Sequence, residues 1–455
     1  MADSDSRDYE NYLSPSAKAV LRILRNVEQN QSLDIFQEDP ELDSLKIWVK
    51  TYRGGLYNKT LRRLRLLVSR GGVKIITQRD LLELIRDLWE QNISRLTKTE
   101  LTVLEGVLKE PELGLSELAK SIGLNYNKTR RAMEHLRSTT VLRREGRVDA
   151  VSLGLDRILI ISENPTGVLN SPYFTRFLYV DGSTRYVFLK GLIPSKRRDD
   201  FLQTIKTLRS ASDNTTVWIL SAGLPRFGSA YFNAAKRRFD FDALHFRLLL
   251  RAGGKGLTVG SFPVGEVRFP QRFKSSETKI IETLIEDFDM TAQQLAKETG
   301  LSESTTFRKR ARIVNEGIVR PRPKITIPRL SDRIIGIFSP EAAGNIIHAW
   351  AELPLTYTSQ ITNLENRSEK KIVFATALPA GTARDLLEVL MTEKSRADDF
   401  VAYEVSAGAS NHLPVSSLYD TTKKEWIFNA TFFDVRTYGV CRNEASRKDI
   451  PLDLA

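Results

Sequence analysis

The sequence predicts an α+β protein with two winged helix-turn-helix domains, each followed by a ferredoxin-like βαββαβ domain, behind a mainly helical N-terminal region. Three observations lead there. A segment repeats at a fixed offset, its apolar positions have helical spacing, and strand-like runs interleaved with helical stretches follow each copy. The expected boundaries are residues 1–95 for the N-terminal region, 96–153 and 273–328 for the two winged helices, and 154–272 and 329–455 for the two ferredoxin-like domains, each with a hairpin extension.

A shift of 177 positions lays Glu100–Arg143 on Glu277–Arg320 without gaps. Leu118-Ala119-Lys120 then falls on Leu295-Ala296-Lys297, and Gly123-Leu124 on Gly300-Leu301. Val103, Leu104, Val107 and Leu108 match Ile280, Ile281, Leu284 and Ile285, the stripe of an amphipathic helix. Thr291 and Gln294 have capping-box spacing, so a second helix starts there. Gly123 and Gly300 end it, and Asn125 and Ser302 are N-caps for a basic third helix. A wing is expected after each third helix. In the first copy Val141–Arg144 and Arg147–Ser152 flank the turn-prone pair Glu145-Gly146; in the second, Val319 and Arg320 lead through Pro321–Lys324 to Ile325–Ile327.

Beyond the wings, Asp156-Arg157-Ile158 matches Asp332-Arg333-Ile334. The first copy continues with strand runs at Ile158–Ile161, Phe177–Val180, Tyr186–Leu189 and Val217–Leu220 and a helix over Lys196–Leu208. The second has Ile334–Phe338, Thr358–Thr362, Ile372–Ala377, a helix over Thr382–Met391, and Phe400–Val405. The first helix of a βαββαβ unit is poorly marked in copy one. Phe232–Ala243 and Tyr419–Ala430 then match as hairpins, whose aromatics Phe239, Phe241, Trp426 and Phe428 suit a core better than the stacking of unpaired bases. In the N-terminal region helices are expected over Ala17–Asn26 and Arg79–Trp89, and Tyr57-Asn58-Lys59-Thr60 recurs as Tyr126-Asn127-Lys128-Thr129, the trace of a third, degenerate head.

Composition narrows the function. A length of 455 residues accommodates several domains, and a net charge of +12 favours polyanionic partners. The sequence pI is near 9.6. No apolar run approaches the roughly 18 residues of a membrane span, and the acidic N-terminus is unlike a signal peptide, so a cytoplasmic protein with no membrane partner is expected. The single cysteine, Cys441, and four scattered histidines form no metal-ligand pattern, so no metal and no cofactor are expected. Arg251–Gly256 lacks the full phosphate-loop pattern and reads as a linker. With no nucleophile or paired carboxylates standing out, an enzyme is not expected.

Glu117–Leu124 and Gln294–Leu301, each followed by a basic helix and a wing, resemble the leucine-responsive regulator (Lrp/AsnC) family, and Gly317-Ile318-Val319 sits where that family turns into its wing. The resemblance spans both units. It implies a winged helix-turn-helix joined to a βαββαβ domain that pairs with another copy and binds a small-molecule effector. Departures occur at the turn between the middle strands, Asp181–Thr184 and Asn366–Glu369, which argues against an amino acid as effector; Arg310 replaces an apolar residue and Thr140 a glycine.

The expectation is therefore a sequence-specific transcription regulator bound to double-stranded DNA, as a homodimer or as a pseudo-dimer within one chain; an architectural or protein-bridging winged-helix protein is the alternative. Asn127, Lys128, Arg130, Arg131, Ser304, Thr305, Arg308 and Lys309 are the candidates for groove contacts, since Arg pairs with guanine and Asn with adenine for about 1–3 kcal/mol each. Arg312, Arg320, Arg322 and Lys324 are placed on phosphates.

Overall fold

The computed structural model describes residues 8–29, 40–69, 74–210, 212–252, 271–340, 343–393 and 400–437. Gly253–Gly256 and Cys441 lie outside the described residues. The protein is α+β. Four N-terminal helices, α1 (Pro15–Glu28), α2 (Pro40–Thr51), α3 (Leu56–Ser69) and α4 (Gln78–Ile93), enclose a core that includes Leu24, Leu45, Leu64 and Ile85. Ser14 and Thr77 cap α1 and α4 through their side-chain oxygens. Tyr57 and Tyr126 both lie at the start of a helix, and Thr60 and Thr129, both fully buried, each donate to the carbonyl four residues back.

The first unit starts with α5 (Lys98–Lys109), α6 (Leu115–Ser121), α7 (Tyr126–Ser138) and the strand β1 (Leu142–Val148). A short helix α8 (Ala150–Leu153) leads to β2 (Leu155–Glu163), β3 (Gly167–Asn170), β4 (Phe174–Val180), β5 (Tyr186–Pro194), α9 (Arg198–Ser210) and β6 (Asn214–Leu220). Then come β7 (Leu224–Phe227), a hairpin of β8 (Phe232–Asn233) and β9 (Arg238–Phe239), and α10 (Ala243–Ala252). The second unit repeats the plan with α11 (Ser275–Glu286), α12 (Ala292–Thr299), α13 (Glu303–Asn315) and β10 (Val319–Ile325). It continues with β11 (Asp332–Phe338), α14 (Ala343–Ala351), β12 (Leu355–Asn363), β13 (Lys370–Leu378), α15 (Ala383–Thr392), β14 (Phe400–Glu404) and β15 (Ala407–Ser410). After α16 (Val415–Leu418) a second hairpin pairs β16 (Tyr419–Asp420) with β17 (Glu425–Trp426), and β18 (Asp434–Thr437) returns to pair with β3.

The expected caps are present. Thr291 and Gln294 close a capping box, and Asn125 and Ser302 accept from the backbone three residues on. The matched stripe of α5 and α11 is buried in both copies. In place of a helix between the first two sheet strands, unit one has β3; unit two has α14. Phe239 and Trp426 are buried in the cores, which absorbs the hairpin aromatics into packing.

The wings differ from expectation. Glu145-Gly146 and Pro321–Lys324 are not turns but the centres of two continuous strands that pair antiparallel with each other, Glu145 opposite Arg322. The two heads therefore share one ribbon, centred on a pseudo-twofold axis. Gly146 is required there, because a Cβ would collide with the Leu284 carbonyl oxygen of α11 and with Val319.

Both units arrange their four main strands alike, as β6-β2-β5-β4 and β14-β11-β13-β12. The two sets join through β12, which pairs with β6 and with its continuation β7, and through β15, the continuation of β14, which pairs with β4. The antiparallel sheet thus curls around an interior containing Leu159, Phe188, Trp218, Ile337 and Val373. The heads cross over. Val103, Leu104 and Leu136 of the first head share one core with Ile334, Phe338 and Trp350 of the second unit. Ile280, Leu284 and Ile313 of the second head share another with Ile158, Val217 and Phe201 of the first. Neither unit completes a core without the other.

Candidate ligand-binding site

Strands β4, β5 and β12 and the β1–β10 ribbon enclose a cavity of about 200 Å³ at the centre of this interlock. Its lining includes Arg147, Arg157, Arg176, Lys190, Arg322 and Lys324, against a single carboxylate, Glu145. Glu145 is committed, accepting from Arg322 at 2.7 Å and Lys324 at 2.9 Å. Arg157 donates to the Val148 carbonyl at 2.6 Å. Arg147 is exposed at the mouth, and His412 lies on the rim. A second, apolar chamber of about 80 Å³ is lined by Leu159, Leu178, Phe188, Ile335 and Val373 and shares Arg176, Lys190 and Tyr357 with the first.

At the join, the Lys190 Nζ lies 4.8 Å from the Tyr357 ring centre and donates to its hydroxyl at 3.5 Å. Lys190 comes from β5 and Tyr357 from β12, so each unit supplies one member. The ring is seated against Gly223, where any Cβ would overlap it. Burial pushes the Lys190 ammonium below its ordinary pKa, and the charges of Arg176, Arg322 and Arg157 act in the same direction against the opposing pull of Tyr357. Burial alone would raise the Tyr357 phenol, but Lys190 and Arg157 outweigh it and hold the phenol below its usual range. Desolvation likewise lowers Arg157, against the opposing pull of Tyr357 and Asp149. The cations lining the cavity outnumber its carboxylates, and a carboxylate or similar anion is their natural complement.

The residues expected to contact DNA are placed elsewhere. Asn127, Lys128, Arg130 and Arg131 on α7, and Ser304 and Arg308 on α13, are exposed on the outer faces of the heads. Arg130 is 3.8 Å from Glu134, Thr305 accepts from Ser302, and Lys309 donates to Ser276. The four positions expected on phosphates all have acidic partners: Arg312 with Glu277 at 3.1 Å, Arg320 with Glu112 at 3.9 Å, and Arg322 and Lys324 with Glu145. Arg310 reaches past the core to the Phe288 carbonyl and ring. Thr140 adopts a left-handed backbone where the second unit has Gly317.

Arg147, Arg157, Arg176, Lys190 and Tyr357 were not singled out from the sequence. A signal was present: Lys190 is the sole charge in the apolar run Val187–Pro194, and Arg176 interrupts Phe174–Val180 in the same way. Among the described residues no group of three or more His, Cys, Asp or Glu could hold a metal ion.

No family model matches the chain, and no curated protein does. Solved structures do. The crystal structure of the siroheme decarboxylase NirDL is 12% identical with a TM-score of 0.40, over 68% of this chain and 91% of that one. The same enzyme in co-complex with an iron-uroporphyrin III analogue is 11% identical with a TM-score of 0.41, over 70% and 95%. A likeness at this level carries no residue-by-residue correspondence. The findings nonetheless correct the expectations drawn from the sequence. Membership of the Lrp/AsnC regulators has no matching family model behind it, and the similar structures are described as an enzyme rather than a DNA-binding regulator. The transcription-regulator reading and the exclusion of enzymatic activity are both withdrawn. The physical reason is visible in the ribbon, where Arg322 and Lys324, which looked like a wing tip, are half-buried and buried and both pair with Glu145.

Proposed function

We propose that the chain is an enzyme acting on an organic anion with an apolar body, whose acidic group sits among the cavity cations while its body occupies the chamber inside the curled sheet. The observation that carries this reading is the lining: six cationic side chains face one carboxylate that is already paired. Lys190 and Tyr357 stand at the border of the cationic and apolar compartments, within reach of each other, and are the proton carriers of the site. Arg147 and Arg157 neutralise charge at the mouth. Each three-helix head is read as a winged helix whose wing strand serves the shared ribbon, and each sheet with its helices as a ferredoxin-like unit.

Anilinonaphthalene sulfonate and benzoate, each one acidic group on an apolar aromatic body, belong to this chemical class and make practical first probes. A fluorescence titration of the full chain with anilinonaphthalene sulfonate, paired with calorimetry of benzoate binding, tests the reading. The expected result is saturable binding that weakens with salt and is lost when Lys190 and Arg157 are both changed to Met. Absence of saturable binding for both anions would contradict it.

A further inference from the structure

The duplication should produce two equivalent sites related by the pseudo-twofold, and the strand registers show which residues correspond. Lys190 lies opposite Leu159 on β2, and Ala375 lies opposite Ile335 on β11. Arg176 pairs with Lys190, and Tyr357 pairs with Ala375. Where the first unit presents Arg176 and Lys190, the second therefore presents Tyr357 and Ala375. The flanking strands differ in the same sense, since Ser410 lies beside Arg176 and Pro225 beside Tyr357.

We infer that the chain holds one ligand, in one orientation: its anionic group against Arg176 and Lys190 of the first unit, its apolar end toward Ala375 and Val373 of the second, with Tyr357 over the junction. The inference rests on the proposed reading of the cavity and adds its stoichiometry and direction. Two like anions in mirrored poses are disfavoured because the second position offers a methyl group where the first offers an ammonium. The second anion would lie against Ala375 and the Leu, Ile, Phe and Val side chains of a chamber whose lining cations, Arg176 and Lys190, already hold the first. The apolar chamber also gives the ligand's body a place that water fills poorly, which fixes which end enters first.

Decanoate and 1-decanol, which share an apolar tail and differ in the acidic group, separate the two ends. Binding of each to the full chain is measured by calorimetry, for the unchanged protein and for Lys190→Met and Arg176→Met. The expected result is one decanoate per chain, at least a tenfold loss of decanoate affinity in either variant, and little change for decanol. The decanol arm also shows that each variant is folded. Two decanoates per chain, or variants that weaken acid and alcohol equally or neither, would overturn the one-sided site while leaving an anion cavity standing. No saturable binding of decanoate to the unchanged protein would overturn both.

Discussion

The two units of this chain are alike where they are packed and unlike where they meet. Val103, Leu104, Val107 and Leu108 in one and Ile280, Ile281, Leu284 and Ile285 in the other occupy the same buried stripe. Buried Glu100 and buried Glu277 are held by equivalent positions, His135 at 2.8 Å and Arg312 at 3.1 Å. Around the axis the correspondence breaks. Glu145 faces Arg322, and Lys190 with Arg176 answers to Ala375 with Tyr357. In a homodimer a residue on the twofold meets its own copy, so an acid would face an acid and a base a base. Fusing both units in one chain removes that constraint, and the residues lining the shared cavity have diverged while the apolar frame has not.

The largest expected effect comes from the axis itself. Glu145→Ala strands Arg322 and Lys324 in the ribbon without their carboxylate, and a loss of about 3 kcal/mol or more in urea denaturation is expected. Arg322→Ala should cost less, since Lys324 still neutralises Glu145.

Acid should separate the heads next. Burial alone would raise the Glu100 carboxyl, but hydrogen bonds from His135 and the Thr97 backbone and the charge of Arg53 outweigh it and hold it at about 2. Its folded pKa is below its unfolded value of about 4.3, so its contribution is present in full above that value and is lost as pH falls toward 2. The loss is on the order of 3 kcal/mol across that window. Glu145, also held below the usual range, adds to it in the same direction. A Glu100→Gln protein should show a flatter stability profile between about pH 4.5 and 2 than the unchanged chain; an unaltered slope would show that Glu100 is not the group responsible.

A smaller change is expected at Gly223, whose added methyl in Gly223→Ala must displace the Tyr357 ring, at a cost of about 1–3 kcal/mol. Anion binding should weaken with it, whereas a variant that binds normally would free Tyr357 from its assigned position. The smallest effect is at Thr140, the left-handed counterpart of Gly317: Thr140→Gly should stabilise the first head by about 1 kcal/mol, read as a raised urea midpoint.

Much of the frame was legible because helices and caps are local. The α5 and α11 stripes, the Thr291–Gln294 box and the Asn125 and Ser302 caps depend on spacings of a few residues, and they stand where periodicity puts them. The wings were not legible, because whether Arg143–Arg147 turns back or runs on is decided by a partner strand some 180 positions away. The same distance hides the site. Lys190 and Tyr357 are 167 positions apart and meet only once the two sheets join through β12. Charge was visible in sequence, but its location was not: the cations that matter most to the cavity lie singly in apolar strands, while the conspicuous clusters on α7 and α13 remain on the outside.

A crystal of the full chain soaked in 4-iodobenzoate, an apolar ring bearing one carboxylate and one strong anomalous scatterer, puts the central claim to the test. The account predicts a single iodine peak inside the curled sheet, with the carboxylate at Arg176 and Lys190. Peaks confined to the exposed basic faces of α7 and α13, with the interior empty at a saturating soak, would contradict it.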